Sequence, residues 1–163
     1  IQEDQIEPPP HAGHGGTNFI EIEALRSGNS ISQELYQWGI PTAISLAEVC
    51  KSIKGKEAIT IFASGGMHNP ASIVKALAIG ADAIGLAGFP LSILMQRGRL
   101  ALIDWIRQLE KEIRKIMLLT GSTTIQELSS VPLVITGYTA EWLQRRGFNP
   151  DGYARRKNER NCK

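Results

Sequence analysis

The amino-acid sequence predicts an α/β protein of parallel strands, each followed by a helix, amounting to about half of a (β/α)8 barrel. Three observations carry this prediction. Two short apolar runs, residues 59–63 and 83–86, each lead into a glycine-bearing loop. The loops read Ser64-Gly65-Gly66-Met67-His68 and Ala87-Gly88-Phe89-Pro90. A helical pattern from Pro70 to Ile79 lies between them, and strand, loop, helix, strand, loop is the order of a parallel crossover unit. At 163 residues the chain is also short of the roughly 200 that a closed barrel of this kind needs.

The elements follow in order. Residues 1–10 form an extended leader, because Pro8-Pro9-Pro10 excludes regular helix and central strand. His11 to Asn18 is a glycine-rich loop, and Phe19, Ile20, Ile22 and Leu25 among Glu21, Glu23 and Arg26 make a short helical or irregular piece. Ser27 to Ser32 is a polar loop, and Pro41 stops a helix carrying Trp38. Thr42 to Leu46 reads as a short strand, with Ser45 capping a helix from Leu46 to Ile53 and Glu48 as its capping-box acid. Ala58 to Ala63 is apolar almost throughout, the pattern of a strand covered on both faces. Asn69-Pro70 is a helix start, Ile73, Ala76 and Leu77 give that helix an apolar face, and Gly80 ends it before a strand from Ala81 to Leu86. From Leu100 to Leu119, Ile103, Ile106, Leu109, Ile113 and Ile116 recur at three- and four-residue steps, predicting the longest helix. Thr124 and Glu127 make a capping box, Val131 to Thr136 is a short strand or an extended packing segment, and Ala140 to Arg146 is a last helical piece ended by Gly147.

Composition narrows the class. With 42% hydrophobic and 21% charged residues the chain can bury a core, and a net charge of +2 gives no global field for nucleic acid. Arg155, Arg156, Lys157, Arg160 and Lys163 crowd the end, so residues 148–163 are expected to be a flexible, solvated basic tail. Cys50 and Cys162 have no Cys or His at metal-ligand spacing and form no disulfide framework. No apolar run reaches the ~18 residues of a membrane span and no signal-peptide pattern opens the chain, so a cytoplasmic protein without membrane contact is expected.

The glycine loops are the candidate chemistry. Gly65-Gly66 and Gly88 let a backbone approach a ligand and can turn successive N–H groups toward an anion, while His68 and Asn69 sit where a helix N-terminus adds its dipole. Glycine is also the default turn residue, and it is the pairing of two such loops on sequential strands that points to a ligand. Gly13 to Asn18 is a third candidate loop, where Thr17 and Asn18 offer hydrogen bonds. The Walker and dinucleotide glycine patterns are both missing, and no Ser-His-Asp, paired-carboxylate or metal-ligand set stands out. Residue types and spacing lead to an anion-binding α/β half-barrel whose catalytic residues are unknown.

Several blocks add a resemblance. Gly13-His14-Gly15-Gly16-Thr17-Asn18-Phe19 with Ile22-Glu23, then Trp38-Gly39-Ile40-Pro41-Thr42-Ala43, Ser64-Gly65-Gly66 and Gly85-Leu86-Ala87-Gly88 follow one another. Leu118-Leu119-Thr120-Gly121, Glu127-Leu128 and Val131-Pro132-Leu133-Val134-Ile135 complete the series. In order and spacing these resemble the C-terminal half of the type 2 isopentenyl diphosphate isomerases, over about three quarters of the chain. Ser-Gly-Gly alone is shared by many flavin barrels; the blocks together are more specific.

The resemblance implies the C-terminal half of an FMN-binding TIM (β/α)8 barrel over residues 11–147. It also implies interconversion of isopentenyl and dimethylallyl diphosphates with reduced FMN as acid–base cofactor, NADPH as reductant and Mg2+ on the substrate diphosphate. By position, Thr17 would contact the flavin, and Gly66, Met67 and His68 with Ala87 and Gly88 would hold the FMN phosphate. The family usually carries arginine where His68 stands, exchanging a fixed cation for a titrating one. Upstream, Pro8-Pro9-Pro10 replaces the apolar strand that leads into the first glycine loop. The family's flavin-contacting lysine, Mg2+-binding glutamate and substrate-gripping histidine and glutamine belong to the other barrel half. A fragment of this kind is expected to be inactive alone and, with two open sheet edges, to associate as a homo-oligomer. The alternatives are another FMN-dependent barrel oxidoreductase or a non-catalytic phosphate-binding or assembly module.

Overall fold

The computed structural model describes residues 18–28, Leu35, 38–53 and 59–156. Among them, helices α1 (Phe19–Ser27) and α2 (Thr42–Ser52) precede strand β1 (Phe62–Ser64), helix α3 (Pro70–Ile79) and strand β2 (Ala83–Gly85). Helices α4 (Gly88–Leu119), α5 (Ile125–Leu128), α6 (Gly137–Arg145) and α7 (Asp151–Ala154) follow. The protein is α/β with parallel strands: β1 and β2 pair in the register Phe62↔Ala83, Ala63↔Ile84 and Ser64↔Gly85. Their approach is close, since a Cβ on Gly85 would lie 3.0 Å from the Ser64 Cβ.

Helix α3 joins the two strands and divides the core. It starts where Asn69 Oδ1 accepts from the Ser72 amide at 2.8 Å, with Pro70 in the first turn. Its Ala76 and Ile79 pack with Ile44, Leu46 and Ala47 of α2, Ala63 of β1 and Leu143 of α6. Its Ile73, Val74 and Leu77 pack with Leu109 of α4 and Leu128 of α5. A helix apolar on nearly every side must be covered on nearly every side. The reciprocal capping box of Thr124 and Glu127 holds α5 so that Leu128 is fully buried.

The structure corrects several expectations. Thr42 to Leu46 is the first turn of α2, not a strand; only helical spacing puts Ile44 and Ala47 together on the buried face. Of the strand expected over 58–63, Ala58 lies outside the described residues and only Phe62 and Ala63 belong to β1, which is not covered on both faces. Ala63 is buried, whereas Phe62 is 71% exposed and Ile59 is also exposed, because α2 and α3 cover one side alone. Helix α4 begins at Gly88 rather than Leu100, with Pro90 in a first turn whose amides need no intrahelical partner. Gly98, at φ 80° and ψ 179°, kinks it into 88–97 and 99–119. Val131 to Thr136 lies outside the sheet, with the Val131 amide donating back to the Leu128 carbonyl and the Leu133 amide to the Tyr153 carbonyl.

Residues 148–156 are also not a flexible tail; residues 157–163 lie outside the described ones. Phe148 and Tyr153 pack on the α2–α3–α6 core, and the Lys51 ammonium sits 4.0 Å over the Phe148 ring. The Arg156 guanidinium stacks 4.2 Å over Tyr153 and donates to the Ala78 carbonyl, where a cation suits the C-terminal end of α3. The basic cluster thus begins as a strap, because its aromatic residues have apolar surface to cover.

The strap gives the fold an alkaline limit. Burial pushes the Cys50 thiol up, helped by the Asp82 charge, and burial likewise pushes the Tyr153 phenol up. In both cases the folded chain keeps a proton that the unfolded chain releases at lower pH. The stabilisation is complete at neutral pH and is lost as pH rises through the thiol and phenol ranges, from about 8.5 to above 10. Tyr153→Phe is expected to flatten the alkaline part of that decline, read as the urea midpoint against pH. An unchanged slope would show that the phenol takes no part.

Candidate functional site

The C-terminal ends of β1 and β2 deliver their loops to one edge of the parallel pair. After β1 the chain turns through Gly65 (φ 94°) and Gly66 (φ 71°), conformations that favour glycine. The His68 amide closes this turn on the Gly66 carbonyl at 3.1 Å. After β2, Leu86 and Ala87 lead directly into α4 at Gly88. Helix α3 is capped by Asn69, but α4 starts on Ala87 with no side-chain cap.

Side chains bring the loops together. The His68 and Phe89 rings are 6.2 Å apart, and Phe89 leans on Trp105 of α4 at 5.4 Å. The amides of Gly66 and Met67 donate to no other group of the described residues, and those of Gly88 and Phe89 open the first turn of α4. A Cβ built on Gly88 meets nothing within 4 Å, so the space above that turn is open. Two loops, four donor amides and two helix N-termini therefore face one edge, an arrangement suited to an anion.

Five of the six residues predicted as cofactor-binding stand in this group. Gly66, His68, Ala87 and Gly88 are exposed there. Met67 differs: it is half-buried and its side chain packs against both core clusters, so its backbone is the part turned to the loop. Thr17 lies outside the described residues; its neighbour Asn18 caps α1, accepting from the Ile20 and Glu21 amides at 3.0 and 3.2 Å. Sequence reasoning missed Phe89, hidden in what read as loop. It also missed the Thr42 hydroxyl, which donates to the Gly65 carbonyl at 3.2 Å. The signal for Thr42 was its place in the Trp-Gly-Ile-Pro-Thr block. Among the described residues no three of His, Cys, Asp and Glu converge as a metal site, and no helix is long and apolar enough to cross a membrane.

The family model for FMN-dependent dehydrogenases matches residues 37–134, which contain both loops. The chain belongs to the FMN-dependent dehydrogenase family. As a member of that family it is similar to the isopentenyl-diphosphate delta-isomerase of Bacillus pumilus, with 41% identity over 91% of this chain and 41% of that protein. It is also similar to those of Bacillus licheniformis (44%, covering 88% of this chain and 40% of that protein) and Methanothermobacter thermautotrophicus (38%, 89% and 40%). The chain thus spans about two fifths of the length of these relatives. For this family member, the donor amides and the open space above Gly88 fit the phosphate end of FMN.

Proposed function

We propose that this chain supplies the phosphate-gripping side of the FMN site in a type 2 isopentenyl diphosphate isomerase, as the C-terminal half of its (β/α)8 barrel. The observation that carries the reading is the convergence of the Ser64–His68 and Leu86–Phe89 segments, with the Gly66 and Met67 amides unbonded among the described residues and those of Gly88 and Phe89 opening α4. The names of the relatives supply the reaction: isopentenyl diphosphate to dimethylallyl diphosphate and back. Reduced FMN, when bound, supplies the acid–base ring for that isomerisation. The residues of this chain bind and orient: Gly66, Met67, Gly88 and Phe89 through backbone N–H groups, His68 as an imidazole beside them, and Thr17 toward the flavin. NADPH as reductant, Mg2+ on the substrate diphosphate and a homo-oligomeric state belong to the same proposal. Exposed Phe62 and Ile59 support the half-barrel, since the strands of a closed barrel would cover them.

The test uses the complete barrel protein. It should purify yellow with flavin absorbance and, with reductant and Mg2+, convert isopentenyl diphosphate to its allylic isomer. The family match to dehydrogenases favours one second reading, an FMN-dependent oxidoreductase. Reduction of bound FMN by a 2-hydroxyacid, without isomerisation, would replace the first reading by that one. A colourless protein that never takes up FMN would leave only the non-catalytic module.

A further inference from the structure

Thr42 opens α2, yet its hydroxyl does not cap that helix. The N-cap position belongs to Pro41, which has no side chain that can cap, and Thr42 is the first helical residue. Here Oγ1 donates instead to the carbonyl of Gly65, 23 positions further along the chain. That carbonyl belongs to the Gly65–Gly66 peptide, between two glycines at positive φ. A trans peptide points its C=O and N–H to opposite sides. Holding the Gly65 carbonyl at Thr42 therefore sends the Gly66 N–H the other way. The next peptide is held similarly: the Gly66 carbonyl accepts from the His68 amide, which turns the Met67 N–H away from it. Neither of the two amides so aimed has a partner among the described residues.

We infer that Thr42 is a positioning residue for the anion loop, locking the Gly65–Gly66 peptide with its N–H toward the bound phosphate. The inference rests on the phosphate reading above. A peptide between two glycines can flip with little steric resistance. Without the hydroxyl it would spend time with the Gly65 carbonyl oxygen facing the phosphate, where it repels rather than binds. Thr42 touches no ligand in this role; it acts through Gly66.

Thr42→Val keeps the shape and removes the hydroxyl, while Thr42→Ser keeps the hydroxyl. Apoproteins of the complete barrel are titrated with FMN and with riboflavin, which has the same ring and no phosphate. The wild type should prefer FMN. Thr42→Val should lose roughly fivefold in FMN affinity, about one net hydrogen bond, with riboflavin affinity and the ligand-free melting temperature unchanged. Thr42→Ser should restore FMN binding. Equal losses for both ligands would make Thr42 a structural residue and overturn the inference, as would a full FMN preference in Thr42→Val. A wild type that binds FMN no better than riboflavin would overturn the phosphate reading itself, and the positioning role with it.

Discussion

Gly88→Asp, placed in the complete barrel, is expected to weaken FMN binding by roughly three orders of magnitude while leaving the fold as firm or firmer. The position has room, because a Cβ there meets nothing within 4 Å. It also opens a helix that no side chain caps. A carboxylate at such a helix start is itself favourable, by about 0.3–1 kcal/mol. It would, however, occupy the field that the phosphate needs. Two unit charges about 4 Å apart near a protein surface repel by about 4 kcal/mol, which corresponds to roughly a thousandfold in affinity. Gly88→Asn has the same size without the charge and should weaken binding far less. The pair is read by flavin fluorescence titration alongside a thermal melt. Wild-type FMN affinity in Gly88→Asp would place the phosphate away from α4.

The second large effect is on stability. Ile44→Ala is expected to cost about 2–5 kcal/mol, against about 1 kcal/mol for Ile44→Val. Ile44 is 0% exposed and lies where α2 meets β1, α3 and α6. Its buried neighbours include Ala47, Ala63, Ala76 and Ala81, which bring the elements close but have no side-chain freedom to refill a cavity. The void left by truncation would therefore persist, and α2, which carries Thr42 to the Gly65 carbonyl, would lose its anchor. Chemical denaturation of both variants measures the difference. An alanine variant no weaker than the valine one would show that this junction can collapse and is not close-packed.

The parts of the fold most legible in the sequence were those governed by local chemistry. Asn69-Pro70 marked the start of α3, Thr124 and Glu127 their capping box, and Gly65-Gly66 the turn that ends β1. Each is decided within a few residues, by a side chain that satisfies a neighbouring amide or by a φ that favours glycine. The misreadings share a different cause. Thr42 to Leu46 and Gly88 to Pro90 carry strand-like and loop-like residues, yet packing makes both helical. In Phe148 to Arg156 charge suggested solvent, while Phe148 and Tyr153 found apolar surface.

The sequence by itself determined the α/β class, the order of strand, loop, helix and strand, and the glycine turn after β1. Those follow from periodicity, capping and backbone freedom, which act between near neighbours. Only the tertiary structure decided which groups the two loops present. It set the His68 ring beside Phe89, packed the Met67 side chain against the core, and brought the Thr42 hydroxyl to the Gly65 carbonyl. These contacts join residues about twenty positions apart, or draw on several elements at once. Sequence spacing carries no information on the direction of a peptide plane; the partner that folding places beside its carbonyl sets it.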